Sequence, residues 1–140
     1  MTDQRAQVLR FAFIAGAITD ALALLPMLSP ALARILWGFG DVSGTYRFAM
    51  GYAASLMAAW TLLLLWAYQR PVERAFVAAL TAFVIWGLVL TEIGAVIAGT
   101  LPAWRMVPTW LLQAGLLAAF AGGYHYDTIE RVWLGATRTR

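Results

Sequence analysis

Long apolar runs alternate with short polar breaks along this chain. The runs cover residues 9–28, 48–68, 76–101 and 106–126. A helix needs about 20 mainly apolar residues to cross the ~30 Å hydrocarbon core of a bilayer, and each run meets that length. Backbone polar groups in lipid must be hydrogen-bonded within the protein, so only helices or closed barrels span it. The pattern therefore predicts an all-α fold, a bundle of four transmembrane helices that forms one domain over residues 1–140.

The breaks between the runs contain residues that end helices. Pro30 and a glycine-containing stretch at 38–44 follow the first run, Pro71 follows the second, and Pro102 separates the last two. Proline lacks a backbone N–H and has a fixed φ angle, so it stops a helix or begins one. Residues 30–38 are predicted to form a short helix at the membrane interface.

The composition supports lipid as the main solvent of this chain. Hydrophobic residues make up 62% of it and charged residues 12%, whereas a soluble domain carries about 25% charged residues. The absence of cysteine excludes disulfides, thiolate nucleophiles and iron–sulfur clusters. The arginines are not clustered as a nucleic-acid site would require, so no nucleic-acid partner is expected.

The arginines also predict the orientation of the helices, because short cytoplasmic loops carry an excess of basic residues. If the N-terminus is cytoplasmic, seven arginines lie on the cytoplasmic side and three on the outer side. The seven are Arg5, Arg10, Arg70, Arg74, Arg131, Arg138 and Arg140, and the three are Arg34, Arg47 and Arg105. We therefore predict that both termini are in the cytoplasm.

The two halves of the chain match at several polar positions. The matched pairs are Asp20 with Glu92, Pro30 with Pro102, Arg47 with Arg105, and Ser55 with Gln113. A duplication would make each half a helical hairpin, with a pseudo-twofold axis along the membrane normal. The alternative is chance similarity between apolar helices.

Two carboxyl groups inside the predicted spans are the main candidates for a functional site. An ionisable side chain at the centre of a span costs about 2.5–3.5 kcal/mol, and Asp20 and Glu92 both fall within spans. We expect them to share one polar layer with Ser55 and Gln113, which lie eight residues, or about 12 Å of helix, beyond an arginine.

Those two arginines, Arg47 and Arg105, are predicted to cap the layer from the outer side. Together the six residues are the candidates for binding a ligand or an ion. The alternative is structural, because a buried carboxyl group can also hold helices together through hydrogen bonds.

Other chemistry has little support in the sequence. His125 is the only histidine, and a metal site needs several ligands, so no metal and no cofactor are predicted. No catalytic triad, phosphate-binding loop or zinc motif is present, so the catalytic residues of any enzyme activity are unknown.

Residues 51–60, GYAASLMAAW, and residues 70–74, RPVER, resemble small four-helix bacterial integral membrane proteins of unknown function. The resemblance implies a multi-pass protein of the bacterial inner membrane and implies no activity.

Three classes of function are compatible with these features. The first is a binding or transport protein whose carboxyl groups take a proton, a cation or a lipophilic ligand. The second is an accessory or assembly subunit of a membrane complex, and the third is a membrane enzyme that uses the paired carboxyl groups on an apolar substrate. The expected partners are membrane lipids, a lipophilic small molecule and further copies of the chain.

Overall fold

A computed structural model describes residues 2–39 and 43–125 of the chain. This part is helical and contains no strand. The helices are α1 (Thr2–Leu28), α2 (Pro30–Trp37), α3 (Gly44–Gln69), α4 (Phe76–Ile97) and α5 (Ala103–Tyr124). The four long helices α1, α3, α4 and α5 are each long and apolar enough to cross a membrane. The predicted four-helix bundle is therefore confirmed, and these helices support a multi-pass membrane protein.

Four helix ends differ from the predicted span boundaries by several residues. Helix α1 begins at Thr2 and not at residue 9, and α3 begins at Gly44 and not at residue 48. Helix α4 ends at Ile97 and not at residue 101, because Gly99 adopts the left-handed conformation with φ 72°. The N–H of Gly99 then bonds to the Val96 carbonyl and the N–H of Thr100 to the Ala95 carbonyl, which is the Schellman arrangement that ends a helix. Helix α5 begins at Ala103 and not at residue 106, because the backbone of Pro102, directly before it, is extended.

A short helix forms where residues 30–38 predict one. The Ser29 hydroxyl accepts a hydrogen bond from the N–H of Leu32, Pro30 occupies the first turn, and Gly38 ends α2 with φ 76°. These are the favoured residues for the two ends of a helix, since the serine satisfies a free N–H and glycine adopts the left-handed conformation without strain.

The bundle is built from two helical pairs. Helix α1 packs along α3 on one side and along α5 on the other, and α4 packs along α5. We call the end of the bundle that carries α2 the α2 end, and the end that carries the α3–α4 turn the turn end. The apolar core lies mostly towards the turn end. It consists of Leu9, Ala12, Phe13, Ala17, Leu64, Ala67, Ala75, Val77, Ala78, Ile85 and Phe120.

Close packing in this core depends on two glycines. A Cβ atom added to Gly16 would lie 2.9 Å from Cζ of Phe120, and one added to Gly123 would lie 2.7 Å from Cδ2 of Leu9. Small residues of this kind let membrane helices approach closely, because helix association in lipid depends on packing and not on the hydrophobic effect.

We predict that Gly123→Ala destabilises the bundle by about 1–3 kcal/mol, since the new methyl group overfills a packed interface. The neighbouring Gly122→Ala is the matched control, because its added Cβ meets no atom of the described residues within 4 Å. It should be neutral or slightly stabilising. Unfolding of both variants in detergent mixtures, followed by circular dichroism, measures the difference. Equal stabilities of the two variants would contradict the packing assigned to Gly123.

Candidate functional site

A hydrogen bond between two side chains joins α4 to α5 within the spans. The Gln113 amide donates from Nε2 to Oε1 of Glu92 over 2.9 Å. Gln113 is 7% exposed and Glu92 is half-buried. The sequence predicted a shared layer for these two residues, and the structure brings them into contact.

The same pair retains hydrogen-bonding groups without partners. Glu92 Oε2 and Gln113 Oε1 are buried acceptors, and no hydrogen bond reaches either of them within the described residues. Trp110, three residues before Gln113, has a buried indole N–H that is also unpaired. This N–H approaches the Glu92 carboxyl group but does not reach it with hydrogen-bond geometry. Because buried polar atoms without partners are uncommon in folded proteins, the site has capacity for a ligand.

Asp20 lies on the inward face of α1. It continues the buried stripe that runs through Phe13, Gly16 and Ala17. The rings of Phe13 and Phe120 are 5.9 Å apart, and Asp20 and Gln113 each lie seven residues, about two helical turns, from them towards the α2 end. The antiparallel register of α1 and α5 therefore puts Asp20 near the level of Gln113. Within the described residues its half-buried carboxyl group makes no hydrogen bond.

Ser55 does not join this layer. It is exposed, and its hydroxyl donates to the Tyr52 carbonyl of its own helix over 2.7 Å. The hydroxyl groups of the two threonines beside the acids also donate within their own helices, Thr19 to the Ala15 carbonyl and Thr91 to the Gly87 carbonyl. The polar layer therefore contains fewer side chains than the sequence pattern predicted.

The two arginines predicted to cap the layer are placed differently from each other. Arg105 donates to the Ile35 carbonyl over 3.4 Å and lies over the Trp104 ring at 5.1 Å. It thus binds the C-terminal end of α2, where a cation is favourable because the carbonyl groups there lack helical partners. Arg47 is exposed and lines a cleft at the α2 end, next to Tyr46.

Neither acid has a cation beside it in the part of the chain that the structure describes. The ion pair found there joins Arg70 to Glu73 over 3.2 Å, and it lies in the exposed α3–α4 turn. Residues 2–39 and 43–125 also contain no group of three histidine, cysteine or acidic side chains that would hold a metal ion. His125 follows the last residue of α5 and packs edge-on against the Tyr124 ring.

Sequence reasoning missed two participants near these residues. Trp110 is not among the six predicted site residues, although its spacing of three from Gln113 puts both on one face of α5. Tyr46 is not among them either, yet its hydroxyl is buried and has no partner on the described residues. No sequence signal marks that hydroxyl, since its burial depends on how α2 folds back.

The fold and the site together define the class of the protein, a bundle of four membrane-compatible helices with a carboxyl–amide pair between two of them. Comparison with protein-family models, with curated proteins and with solved structures gives no match.

Proposed function

We propose that this protein is a small membrane binding or transport protein that holds a cation at Glu92 and Gln113. The cation is a proton or the protonated amine of a lipophilic ligand. The observation that carries the proposal is the pair of buried acceptor oxygens, Glu92 Oε2 and Gln113 Oε1, that lack donors on the described residues.

The charge around Glu92 supports a cation as the ligand. A carboxylate in an apolar medium is too costly to remain alone, so it binds a proton or is paired with a cation. The described residues supply no arginine to Glu92, since Arg105 is bound to α2. An ammonium group would donate to both free oxygens, and charge-assisted hydrogen bonds of this kind are the stronger ones.

The surroundings of the site support a ligand that arrives through lipid. Val89 and Val96 lie about one helical turn from Glu92 on the same face of α4 and are half-buried. Ile93, beside Glu92, is exposed to the lipid side of the bundle. An apolar wall with a few convergent polar atoms is the usual lining of a small-molecule site.

The proposed setting is the bacterial inner membrane, with both termini in the cytoplasm. The arginine distribution supports this orientation, and the resemblance of residues 51–60 and 70–74 supports the compartment. Membrane lipids are the proposed solvent and partner. Self-association is proposed because a bundle of four helices encloses little interior volume of its own.

Binding of a pair of alkyl cations tests the proposed function. Decylammonium has three N–H donors, whereas decyltrimethylammonium carries the same charge and no donor. We expect the wild-type protein in neutral-lipid nanodiscs to bind decylammonium more tightly. Glu92→Gln should weaken that binding roughly 10- to 150-fold, the equivalent of one charge-assisted hydrogen bond.

Glu73→Gln is the matched control, because it removes the same charge from the exposed turn and should leave binding unchanged. Proton uptake is measured in parallel, with a pH-sensitive dye enclosed in proteoliposomes. If neither amine binding nor proton movement differs between wild type and Glu92→Gln, the proposed function is wrong. Equal affinity for the two alkyl cations would exclude hydrogen bonding to the free oxygens.

A further inference from the structure

A second polar site lies at the α2 end of the bundle, away from Glu92. It is a partly open cleft of about 330 Å³ where α1, α2 and α3 meet. Its lining consists of Met27, Leu28, Pro30, Tyr46, Arg47 and Gly51. The volume is within the usual range for small-molecule sites, and the residues from α1 and α2 are apolar. The polar groups therefore come from the first turns of α3.

Two donors in this cleft have no acceptor within the described residues. The Tyr46 hydroxyl is buried and unpaired. Arg47 is exposed, and its guanidinium group forms no hydrogen bond or ion pair with any described residue. A tyrosine hydroxyl beside a guanidinium group favours an anion, and a planar guanidinium suits the oxygens of a phosphate or a carboxylate.

The tyrosine is held in position by neighbouring rings. Phe39 packs edge-on against Tyr46 with the ring centroids 5.5 Å apart, and Trp37 packs against Phe39 at 5.7 Å. Gly51, further along α3, also lines the cleft, and an added Cβ there would meet no atom of the described residues within 4 Å. The hydroxyl is thus presented by a packed row of aromatic residues.

The depth of the cleft corresponds to the headgroup region of a bilayer. Helix α3 has 26 residues, or about 39 Å of helix, and this exceeds the ~30 Å hydrocarbon core. Its first turns, with Tyr46 and Arg47, therefore reach the interface. Immediately beside them, Phe48 is 76% exposed and Leu28 is 65% exposed. Both offer apolar surface to acyl chains.

We propose that this cleft binds the headgroup of an anionic phospholipid. Arg47 donates to the phosphate oxygens through its guanidinium group, and Tyr46 donates through its hydroxyl. The acyl chains run over Leu28 and Phe48 into the hydrocarbon region. The proposal does not depend on the function proposed for Glu92.

Native mass spectrometry with phosphatidylglycerol and phosphatidylcholine tests this site. We expect wild type to retain bound phosphatidylglycerol in preference to phosphatidylcholine. Arg47→Gln should weaken phosphatidylglycerol binding roughly 10- to 100-fold, and Tyr46→Phe, which preserves the ring contacts, roughly 2- to 10-fold. Arg34→Gln is the matched control, because Arg34 is exposed on α2 and does not line the cleft. The Arg34→Gln variant should bind phosphatidylglycerol as tightly as wild type does.

Three results would overturn the proposal. The first is an equal loss of binding in Arg34→Gln and Arg47→Gln, which would indicate only general attraction to a charged surface. The second is unchanged binding in Tyr46→Phe and Arg47→Gln, provided both variants keep the wild-type thermal unfolding curve. The third is displacement of the lipid by equimolar glycerol phosphate, which would identify a free phosphate as the ligand. Arg47→Lys keeps the charge but not the planar guanidinium, so it should bind phosphatidylglycerol more weakly than wild type and more tightly than Arg47→Gln.

Discussion

Replacing Phe120 with alanine is expected to destabilise the bundle by about 3 kcal/mol, the low end of the range for such a truncation in a core. Phe120 is fully buried, contacts the Phe13 ring and lies against Gly16. The low end applies because lipid is as apolar as the bundle interior, so the loss is in packing contacts and in the cavity left behind.

Phe83→Ala is the control for this prediction. Phe83 is 79% exposed on α4 and would face lipid both in the bundle and in separated helices, so its loss should change the stability by less than about 0.5 kcal/mol. Reversible unfolding in mixed micelles measures both variants. Equal destabilisation by the two substitutions would contradict the position of Phe120 in the core.

The long helices were predictable because lipid imposes a simple requirement. A segment of about 20 apolar residues has to satisfy its own backbone hydrogen bonds, so four such segments imply four helices. The exact ends were less predictable, since they depend on local geometry. Gly99 could stop a helix or continue one, and only its positive φ and the Schellman bonds put the end of α4 at Ile97.

The candidate site was predicted in part. Depth along a span follows from counting residues, and this was sufficient for Glu92 and Gln113. Rotation about the helix axis does not follow, because helices that are apolar on every side show no amphipathic pattern to identify the inward face. Ser55 follows buried Ala54 in α3, a rotation of about 100°, and so it faces outwards.

The repeat predicted from the sequence remains a prediction, and the two halves differ in structure at two places. Pro30 and Pro102 each stand at the start of a helix, but the first starts the short α2 and the second precedes the long α5. Glu92 bonds to Gln113, whereas Ser55, the counterpart of Gln113, bonds to its own helix. If the halves share an origin, the polar pair is in contact in the second hairpin, α4 and α5, and not in the first, α1 and α3.

Replacing both members of that pair, as Glu92→Leu with Gln113→Leu, is expected to leave a bundle that inserts more favourably into the membrane. A carboxyl group at the centre of a span costs about 2.5–3.5 kcal/mol and each leucine gains about 0.5, so the double variant should gain about 3.5–4.5 kcal/mol in insertion. Each substitution alone leaves the other residue without its partner and should lower bundle stability by about 1–2 kcal/mol. Insertion assays and unfolding in mixed micelles give the two quantities.

The double variant also separates a structural role of the pair from a functional one. If the carboxyl–amide pair serves only to hold α4 against α5, the double variant should lose about as much stability as either single variant, because all three lack the same hydrogen bond. A pair that serves a ligand should be dispensable for stability, because removing both polar partners leaves no unpaired group. We expect the second result, together with loss of decylammonium binding. A double variant that is both unstable and fully able to bind the amine would exclude Glu92 and Gln113 as the site.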